Sequence, residues 1–511
     1  GYTNADTFRN TLQYTGEYAG KHYISLFAGQ EIQERTAYNS FNYSPVFDEE
    51  HRIVGFPEMD DIDGSEINYS ALGGTGKSVS KMSSFFANAS YSYLDKYILT
   101  GALRYDGSDI IGNDNQFTPL WNVGLRWNLH REEFMKRWMW VDQFAVRGGF
   151  GYTGSIDKNA LPFVVMTLGQ SVIYDGQTVP TSFSYPNPNV KWQTKQDMNV
   201  GLDLSLFDYR LELGVNYYNN ITRDVLDRKA LPYSSGRSEV TENVADIYNS
   251  GWEIDLGVTL LKNKSFQWYA KANIAINDNK VKNTYYKDTK DLPKATLSNA
   301  HQFVENQPVN GWYGYKFAGI NPINGAVMTY TGNGEATLDM SVSGATWPIP
   351  SVFYLGNLTP PVVGGFSTSA NWKQLIFSAN FEFKTGHKIK SFNTFRSLDA
   401  RNRHTSEANR WREPGDITNV PAMSEAFTTY SSYMYDILLE KGNYLRCSYM
   451  TLGYNLKPEW LHKIGFSTAR LSFTAKDLFT VSSYSGIDPA LMGSFGYPNS
   501  RKYTITLNVG F

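Results

Sequence analysis

The chain has 511 residues, a formal net charge of −2, and 15% Phe, Trp and Tyr. No stretch approaches the roughly 18 consecutive apolar residues of a membrane-crossing helix, which excludes a helical membrane protein, and the balanced charge offers no basic stripe for nucleic acid. The single cysteine, Cys447, closes no internal disulfide, seven scattered histidines give no Cys/His metal spacing, and length alone leaves open several soluble domains or one large barrel.

Gly1 opens the chain without a methionine, and no basic region leading into an apolar run follows, so a segment is expected to precede it. The first strand is expected at about residues 11–19. A polar stretch at 45–80 ends in Gly73-Gly74-Thr75-Gly76-Lys77-Ser78, which invites a phosphate-loop reading because glycine amides and a lysine cradle phosphates. Ala71 sits where the first glycine should be, and the stretch is expected in a loop between two strands, not between a strand and a helix, so nucleotide binding is rejected.

Further along, Phe117, Pro119, Trp121, Val123, Leu125, Trp127 and Leu129 alternate with Thr118, Asn122, Gly124, Arg126 and Asn128. This period of two separates an apolar face from a polar one. The same reading covers Met198 to Leu206, Tyr209 to Tyr217, Trp252 to Leu260, Phe266 to Ile276, Phe366 to Trp372, Leu375 to Phe383 and Leu471 to Ala475. The chain closes on Tyr503, Ile505, Leu507, Val509 and Phe511 alternating with Thr504, Thr506, Asn508 and Gly510. A wall with lipid outside and water inside needs that pattern, and Phe511 fits the terminal assembly signal of outer-membrane barrels.

A soluble β-sandwich also alternates. Two features favour the barrel: aromatic residues crowd the strand ends, and the connections fall into two lengths. Short turns are expected at Leu94-Asp95-Lys96, Phe207-Asp208, Lys262-Asn263-Lys264 and Lys373-Gln374, and long polar loops at 45–80, 155–193, 225–246, 281–360, 390–442 and 483–501. The fold class is therefore all-β, a transmembrane antiparallel barrel, with about fifteen strands of spanning length. Bacterial single-chain barrels close with an even number, so an odd count leaves an edge that another polypeptide or a further part of this one must cover.

Arg104, Arg126, Arg147, Lys271, Asp203, Glu212, Glu253 and Glu382 fall on the polar, lumen-facing side. Mixed signs there suit side chains that pair with one another or with a plug, and no Ser/His/Asp order or His pair converges, so no enzyme, no cofactor and no metal are expected. In the loops, Trp312, Tyr313, Tyr315, Trp347 and the Arg410-Trp411-Arg412 cluster are the candidates for substrate or lid contact, since aromatic faces stack on sugars and Arg forks onto carboxylates. The competing reading is that they pack the loops. Cys447 lies where the alternation slips between Leu445 and Leu452, which marks a bulge.

Ordered along the chain are Asp95-Lys96-Tyr97, Arg104-Tyr105-Asp106-Gly107-Ser108, Gly124-Leu125-Arg126-Trp127 and Glu133-Phe134-Met135. They are followed by Asn187-Pro188-Asn189-Val190-Lys191-Trp192, Asn199-Val200-Gly201-Leu202-Asp203, Gly314-Tyr315-Lys316, and Gly364-Gly365-Phe366 with Gly386. Near the end come Asn443-Tyr444-Leu445-Arg446, Thr451-Leu452-Gly453-Tyr454 and Ser485-Gly486-Ile487-Asp488-Pro489. The ordered set resembles the SusC/RagA family of TonB-dependent outer-membrane transporters, nutrient importers of Bacteroidota. That resemblance implies a 22-stranded barrel with an N-terminal plug, residues 1–511 being its C-terminal part with the plug and first strands missing.

It further implies a SusD-like surface lipoprotein as lid, a TonB complex acting through the plug-bearing portion, a lipid bilayer around the wall and a possible homodimer of the complex. Where relatives carry an acidic, calcium-loop-like stretch, this chain has Thr331-Gly332-Asn333-Gly334-Glu335, too few carboxylates for the six to eight or so oxygen ligands of calcium. The expected function is import of a glycan or oligopeptide across the outer membrane. A barrel that only scaffolds lipoproteins, or a passive porin, are the alternatives.

Overall fold

The computed structural model describes residues 1–42, 46–47, 53–55, 73–109, 111, 116–155, 166–174, 177–183, 191–230, 234, 239–289, 303–338, 352–391, 408–422, 435–461, 465–492 and 496–511. Fifteen long strands form one antiparallel sheet in which each pairs with the next in chain order. They are β1 (Tyr2–Tyr18), β2 (His22–Asn42), β3 (Gly73–Tyr93), β4 (Tyr97–Ser108), β5 (Phe117–Asn128), β6 (Val141–Ser155), β7 (Gln193–Leu206) and β8 (Leu211–Ala230). Then follow β9 (Glu239–Lys262), β10 (Phe266–Lys282), β11 (Val362–Trp372), β12 (Leu375–Thr385), β13 (Tyr444–Asn455), β14 (Thr468–Ser482) and β15 (Lys502–Gly510).

The sheet is turned inside out relative to a soluble protein. Leu12 and Ile505 are each 75% exposed and Leu103 53%, while Ser84, Asp106 and Arg446 are buried. Water would penalise such an apolar surface, whereas a bilayer is its natural solvent, and closed or paired sheets are the only β-structures that lipid tolerates. The apolar face of β15 carries Tyr503, Ile505 and Leu507, as the alternation predicts, and Phe466 meets the terminal Phe511 edge to face at 5.1 Å.

Two compact units can be distinguished. The first comprises residues 1–125, 151–195 and 230–243. Its β1–β2 ladder runs from Tyr2 opposite Tyr38 to Tyr18 opposite His22, so the first strand begins nine residues before the expected Thr11. On the face that carries Tyr2 and Phe8 the polar Asn4 and Asp6 intervene, which breaks the alternation signal, but backbone pairing needs no apolar side chains. Likewise Gly73-Gly74-Thr75-Gly76-Lys77-Ser78 is not a loop: it opens β3, and its residues pair from Gly73 opposite Asn42 to Ser78 opposite Ala37. Extended ladder backbone cannot curl around a phosphate, which strengthens the rejection of nucleotide binding.

The second unit comprises residues 126–150, 196–229 and 244–511. The turn after β7 holds Phe207, Asp208 and Tyr209 in the left-handed region, at φ 60°, 57° and 57°, so Tyr209 belongs to the turn and β8 starts at Leu211 instead. The ladder between β12 and β13 shifts between Asn380 and Phe381, and that between β13 and β14 between Cys447 and Tyr449, which is the expected bulge beside a fully buried Cys447. At 24 residues β9 is far longer than the roughly 9–11 that cross a bilayer, so the wall projects beyond the hydrocarbon.

The loops expected at 281–360 and 390–442 are partly folded. Gly311–Gly314 pairs with Phe353–Asn357, Phe317–Ile320 with Val327–Tyr330, Val327–Tyr330 with Ala336–Leu338, and Lys388–Lys390 with Leu439–Lys441. Their apolar faces meet in one core that includes Tyr313, Tyr315, Ile320, Val352, Leu355, Tyr435 and Leu438. Three segments far apart in sequence thus build one module above the second unit's strands.

Candidate functional site

On the polar face of the second unit, alternate residues of neighbouring strands meet across each ladder. Asp255 stands opposite Asn273, Lys271 opposite Ser367, Ser367 opposite Asn380, and Gly365 opposite Glu382. These side chains, with Glu253 and Lys384, line a hollow of about 600 Å³. Lys271 and Asp255 stand 4.0 Å apart, so the acids and bases are close without being locked. Gly365 matters for a steric reason: a Cβ there would lie 3.3 Å from Asn273 Oδ1 and 2.7 Å from the carbonyl oxygen of Phe381, narrowing the floor.

Two further concavities lie along the same face. Arg147, Asp197, Asn199, Asn216, Tyr218, Asn220 and Glu253 line one of about 530 Å³. Asn249, Asn277, Asn279, Asn310, Tyr354 and Asn357 are among those lining another of about 580 Å³. Hydrogen bonds stiffen the stripe: Asn216 Nδ2 donates to Glu253 Oε2 at 3.3 Å, Tyr218 Oη to Asn277 Oδ1 at 2.7 Å, and Tyr269 Oη to Glu212 Oε2 at 3.4 Å. Amides that donate and accept, interspersed with paired charges, suit a polar ligand that slides without a single deep trap.

The predicted lumen residues Arg126 and Asp203 come together, Arg126 Nη1 donating to Asp203 Oδ2 at 2.9 Å, and Arg147 Nη2 lies 3.6 Å from Asp203 Oδ1. Gly201 leaves room for this arrangement, since a Cβ there would stand 2.4 Å from Arg147 Nε. Arg104 belongs to the first unit, where its Nε donates to both oxygens of Asp106 at 2.6 and 2.7 Å and its Nη2 to Ser84 Oγ at 3.1 Å. Beside it Arg9 pairs with Glu31, and these residues with Trp121 and Tyr152 line a hollow of about 410 Å³.

The loop candidates separate sharply. Tyr313 and Tyr315 are inside the module's core, and Trp312 packs against it while its Nε1 donates to the carbonyl oxygen of Lys388 at 2.8 Å. Trp347 lies outside the described residues. Trp411 covers Gly325, and its Nε1 donates to the carbonyl oxygen of Pro322 at 3.2 Å, which leaves Arg410 and Arg412 flanking a seated indole. Burial raises the Tyr313 hydroxyl's pKa well above its ordinary range, with a contribution from Tyr354, itself pushed up to about 12 by burial. The Tyr313 hydroxyl has no hydrogen-bond partner among the described residues. Tyr313→Phe is therefore expected to leave the denaturation midpoint unchanged or to raise stability by up to about 1 kcal/mol, with ligand uptake intact. Lost uptake in a folded Tyr313→Phe protein would instead make that hydroxyl a substrate contact.

Sequence reasoning missed the groups that bind loops to wall. Arg446 Nη2 donates to Asp488 Oδ1 at 2.5 Å, and Glu440 accepts from the Ser485 amide at 2.8 Å and hydroxyl at 2.6 Å. Burial alone would raise the Glu440 pKa, but hydrogen bonds from Ser391 and Ser485 outweigh it and hold the carboxyl below its ordinary value. At the root of the middle loop His387 is buried against Gly442, whose amide donates to the His387 carbonyl oxygen at 3.0 Å. Burial, then Lys384, lowers the imidazole pKa below its ordinary 6.5. A depressed pKa favours the neutral ring in the folded state, so its contribution is complete above pH 6.5 and is lost as pH falls through the folded value. Amide-exchange protection at Gly442 is expected to drop between pH 7.5 and 5 and to become pH-independent in His387→Gln; identical profiles would remove His387 from this role.

Residues 1–383 match a family described as TonB dependent receptor-like, beta-barrel. TonB-dependent receptor P3 of Formosa agariphila is 27% identical over 98% of this chain and 52% of its own length. TonB-dependent receptor SusC of Bacteroides thetaiotaomicron is 23% identical over 84% of this chain and 43% of its own. The RagAB peptide importer in its open-open state shares the fold at a TM-score of 0.80 and 24% identity, over 100% of this chain and 55% of that one. The chain thus spans about half the length of the curated relatives it matches.

Proposed function

The chain belongs to the TonB-dependent receptor-like β-barrel family, and on that premise we propose that it forms the wall of an importer carrying a glycan or oligopeptide across the outer membrane. Such barrels are outer-membrane proteins of transport, not enzymes. The observation that supports transport over mere membrane residence is the polar stripe of the second unit, with three hollows in succession and mutually neutralising charges.

In this reading residues 1–511 are the C-terminal barrel portion of a SusC-like transporter, since relatives are about twice as long. A plug-bearing portion, on which a TonB complex pulls, would complete the wall between the sheet's edge strands β1 and β15. A SusD-like lipoprotein would seat on the outer loops, where Arg410 and Arg412 flank Trp411 and where Ile323, 75% exposed, and Ile417, 98% exposed, offer apolar purchase. Substrate would touch Arg104, Arg126, Asp203 and Glu212 on the wall. One structural neighbour is named for peptide transport and the name SusC specifies no nutrient, so the choice between glycan and oligopeptide falls to the uptake test.

The test is uptake by cells lacking the gene and complemented with the complete transporter. Deletion is expected to abolish growth on one class of oligomer, and Glu382→Gln with Lys384→Met to slow its uptake several-fold at unchanged outer-membrane level. Normal uptake in the deletion strain with displaced surface lipoproteins would make the barrel a scaffold, and open-channel conductance without a plug would make it a porin.

A further inference from the structure

Where β9 and β10 run past the end of β11, the polar stripe changes character. The β10–β11 ladder ends at Ile276 opposite Val362, whereas β9 and β10 stay paired as far as Asp246 opposite Lys282. By alternation Asn277 and Asn279 share the face of Lys271 and Asn273, and Asn249 stands directly opposite Asn279. The base of the outer-loop module brings Asn310, Tyr354 and Asn357 to the same place, and together these residues line the hollow of about 580 Å³. That volume falls within the roughly 300–1,000 Å³ of small-ligand pockets.

The hydrogen bonds inside this hollow are one-sided. Asn277 Oδ1 accepts from Tyr218 Oη at 2.7 Å, Asn357 Oδ1 from Tyr354 Oη at 2.9 Å, and Asn249 Oδ1 from Asn279 Nδ2 at 3.2 Å. Each of these three amides has its oxygen engaged by the protein, while its Nδ2 has no partner among the described residues. Asn310 is turned the other way: its Nδ2 donates to Thr359 Oγ1 at 3.0 Å, which leaves Oδ1 as an acceptor. The charged residues of the lining, Asp278 and Lys280, pair with each other at 2.6 Å. Pro308, Pro360, Pro361 and Tyr354 supply apolar surface between the amides.

A ligand for this lining needs closely spaced oxygens that accept, hydroxyls that donate, apolar C–H faces and no net charge. A carboxylate, a sulfate or a charged peptide terminus would leave water without gaining a counter-charge. An extended peptide lying along a sheet adds a strand to an open edge. Past Ile276 the edge of β10 is already occupied: the Asn277 amide donates to the Pro361 carbonyl oxygen and the Val281 amide to that of Gln307, both at 2.8 Å. We propose that this hollow is a subsite for an uncharged oligosaccharide at the outer mouth of the wall. Asn249, Asn277 and Asn357 donate to its oxygens, Asn310 accepts from a hydroxyl, and the prolines and Tyr354 meet its C–H faces. The inference rests on the importer reading and narrows the cargo from glycan or oligopeptide to a neutral glycan.

The test uses the complete transporter. Uptake by complemented deletion cells is compared for neutral glucan, mannan and xylan oligomers, for oligogalacturonate and for a tryptic casein digest, and calorimetry follows binding of the same probes to the extracted complex. Transporter-dependent uptake confined to a neutral oligosaccharide is expected. Asn277→Asp and Asn357→Asp keep the oxygen that accepts from each tyrosine but replace the donor with a carboxylate, so each should raise KM several-fold at unchanged maximal rate and outer-membrane level. Uptake of oligogalacturonate or peptides in place of neutral sugars would leave the importer reading standing and overturn the subsite, as would neutral-sugar uptake indifferent to both variants. Binding of a neutral oligosaccharide that the variants weaken, without uptake, would keep the subsite and defeat the importer reading; neither binding nor uptake of any probe would overturn both. If the variants fail to reach the membrane, amide exchange of the unaltered complex decides: the bound neutral oligosaccharide should raise protection at 306–310 and 354–359, and unchanged protection there would place the sugar elsewhere.

Discussion

Arg446→Met is expected to cost about 3–5 kcal/mol, among the largest single-residue effects in the molecule. Arg446 is 5% exposed and Asp488 8%, their atoms meet at 2.5 Å, and Arg446 Nε also donates to Thr480 Oγ1 at 3.1 Å. The guanidinium lies over the Tyr444 ring at 5.3 Å and reaches Glu382 at 3.8 Å. Methionine fills much of the volume but leaves Asp488 as a buried charge whose remaining contact is the Ala490 amide at 2.9 Å. Desolvation of that carboxylate is what the protein would no longer offset. Asp488→Asn should cost less, because Glu382 still faces Arg446. Denaturant unfolding of the reconstituted protein, followed by the gel shift of the folded barrel, reads the difference; amide exchange at 484–491 reads its location. A change under about 0.5 kcal/mol would show that water already solvates the pair.

That pair also shows where sequence reading stops. The wall was legible because lipid outside and water inside impose an alternation that survives in each spanning segment, as Phe117 to Leu129 and Tyr503 to Phe511 illustrate. Strand ends were less so: in residues 2–10 the polar Asn4 and Asp6 interrupt the face of Tyr2 and Phe8, Gly73 to Ser78 are polar or small on both faces, and only the backbone register with β2 reveals them as strand. Arg126 and Asp203 were placed on the polar face by parity alone, but parity gives no partner, and their 2.9 Å bond joins positions 77 residues apart. Arg446, Ser485 and Asp488 lie in stretches that carry the family resemblance, but nothing local pairs them with one another or with Glu440, since a long-range polar contact leaves no periodicity. The loop aromatics stayed open to two readings for a related reason: Trp and Tyr are as suited to a small core as to a sugar face, and composition does not say which.

Tyr315→Ala is the second large effect, about 3–5 kcal/mol against the outer-loop module. Its side chain is 0% exposed and lies 6.0 Å from the Tyr435 ring. The backbones of Tyr315 and Tyr435 form an isolated bridge, the Asp436 amide donates to the Tyr315 carbonyl oxygen at 3.1 Å, and Asp436 Oδ1 accepts from the Phe317 amide at 2.9 Å. Truncation opens a cavity where two loops meet, and neighbours anchored on both sides cannot collapse into it. Exchange protection should therefore fall together at 311–330 and 435–441, while the β11–β12 ladder keeps its protection, because loop and wall open with different free energies. Simultaneous melting of the ladder would mean that wall and module are one cooperative unit; loss confined to 311–320 would mean that the loops fold independently. The uptake phenotype separates packing from recognition. A collapsed platform lowers uptake of every substrate alike, whereas a lost contact raises KM for the ligand it touched and spares the rest. Since Tyr315 presents no surface to a ligand, the uniform loss is the expected result.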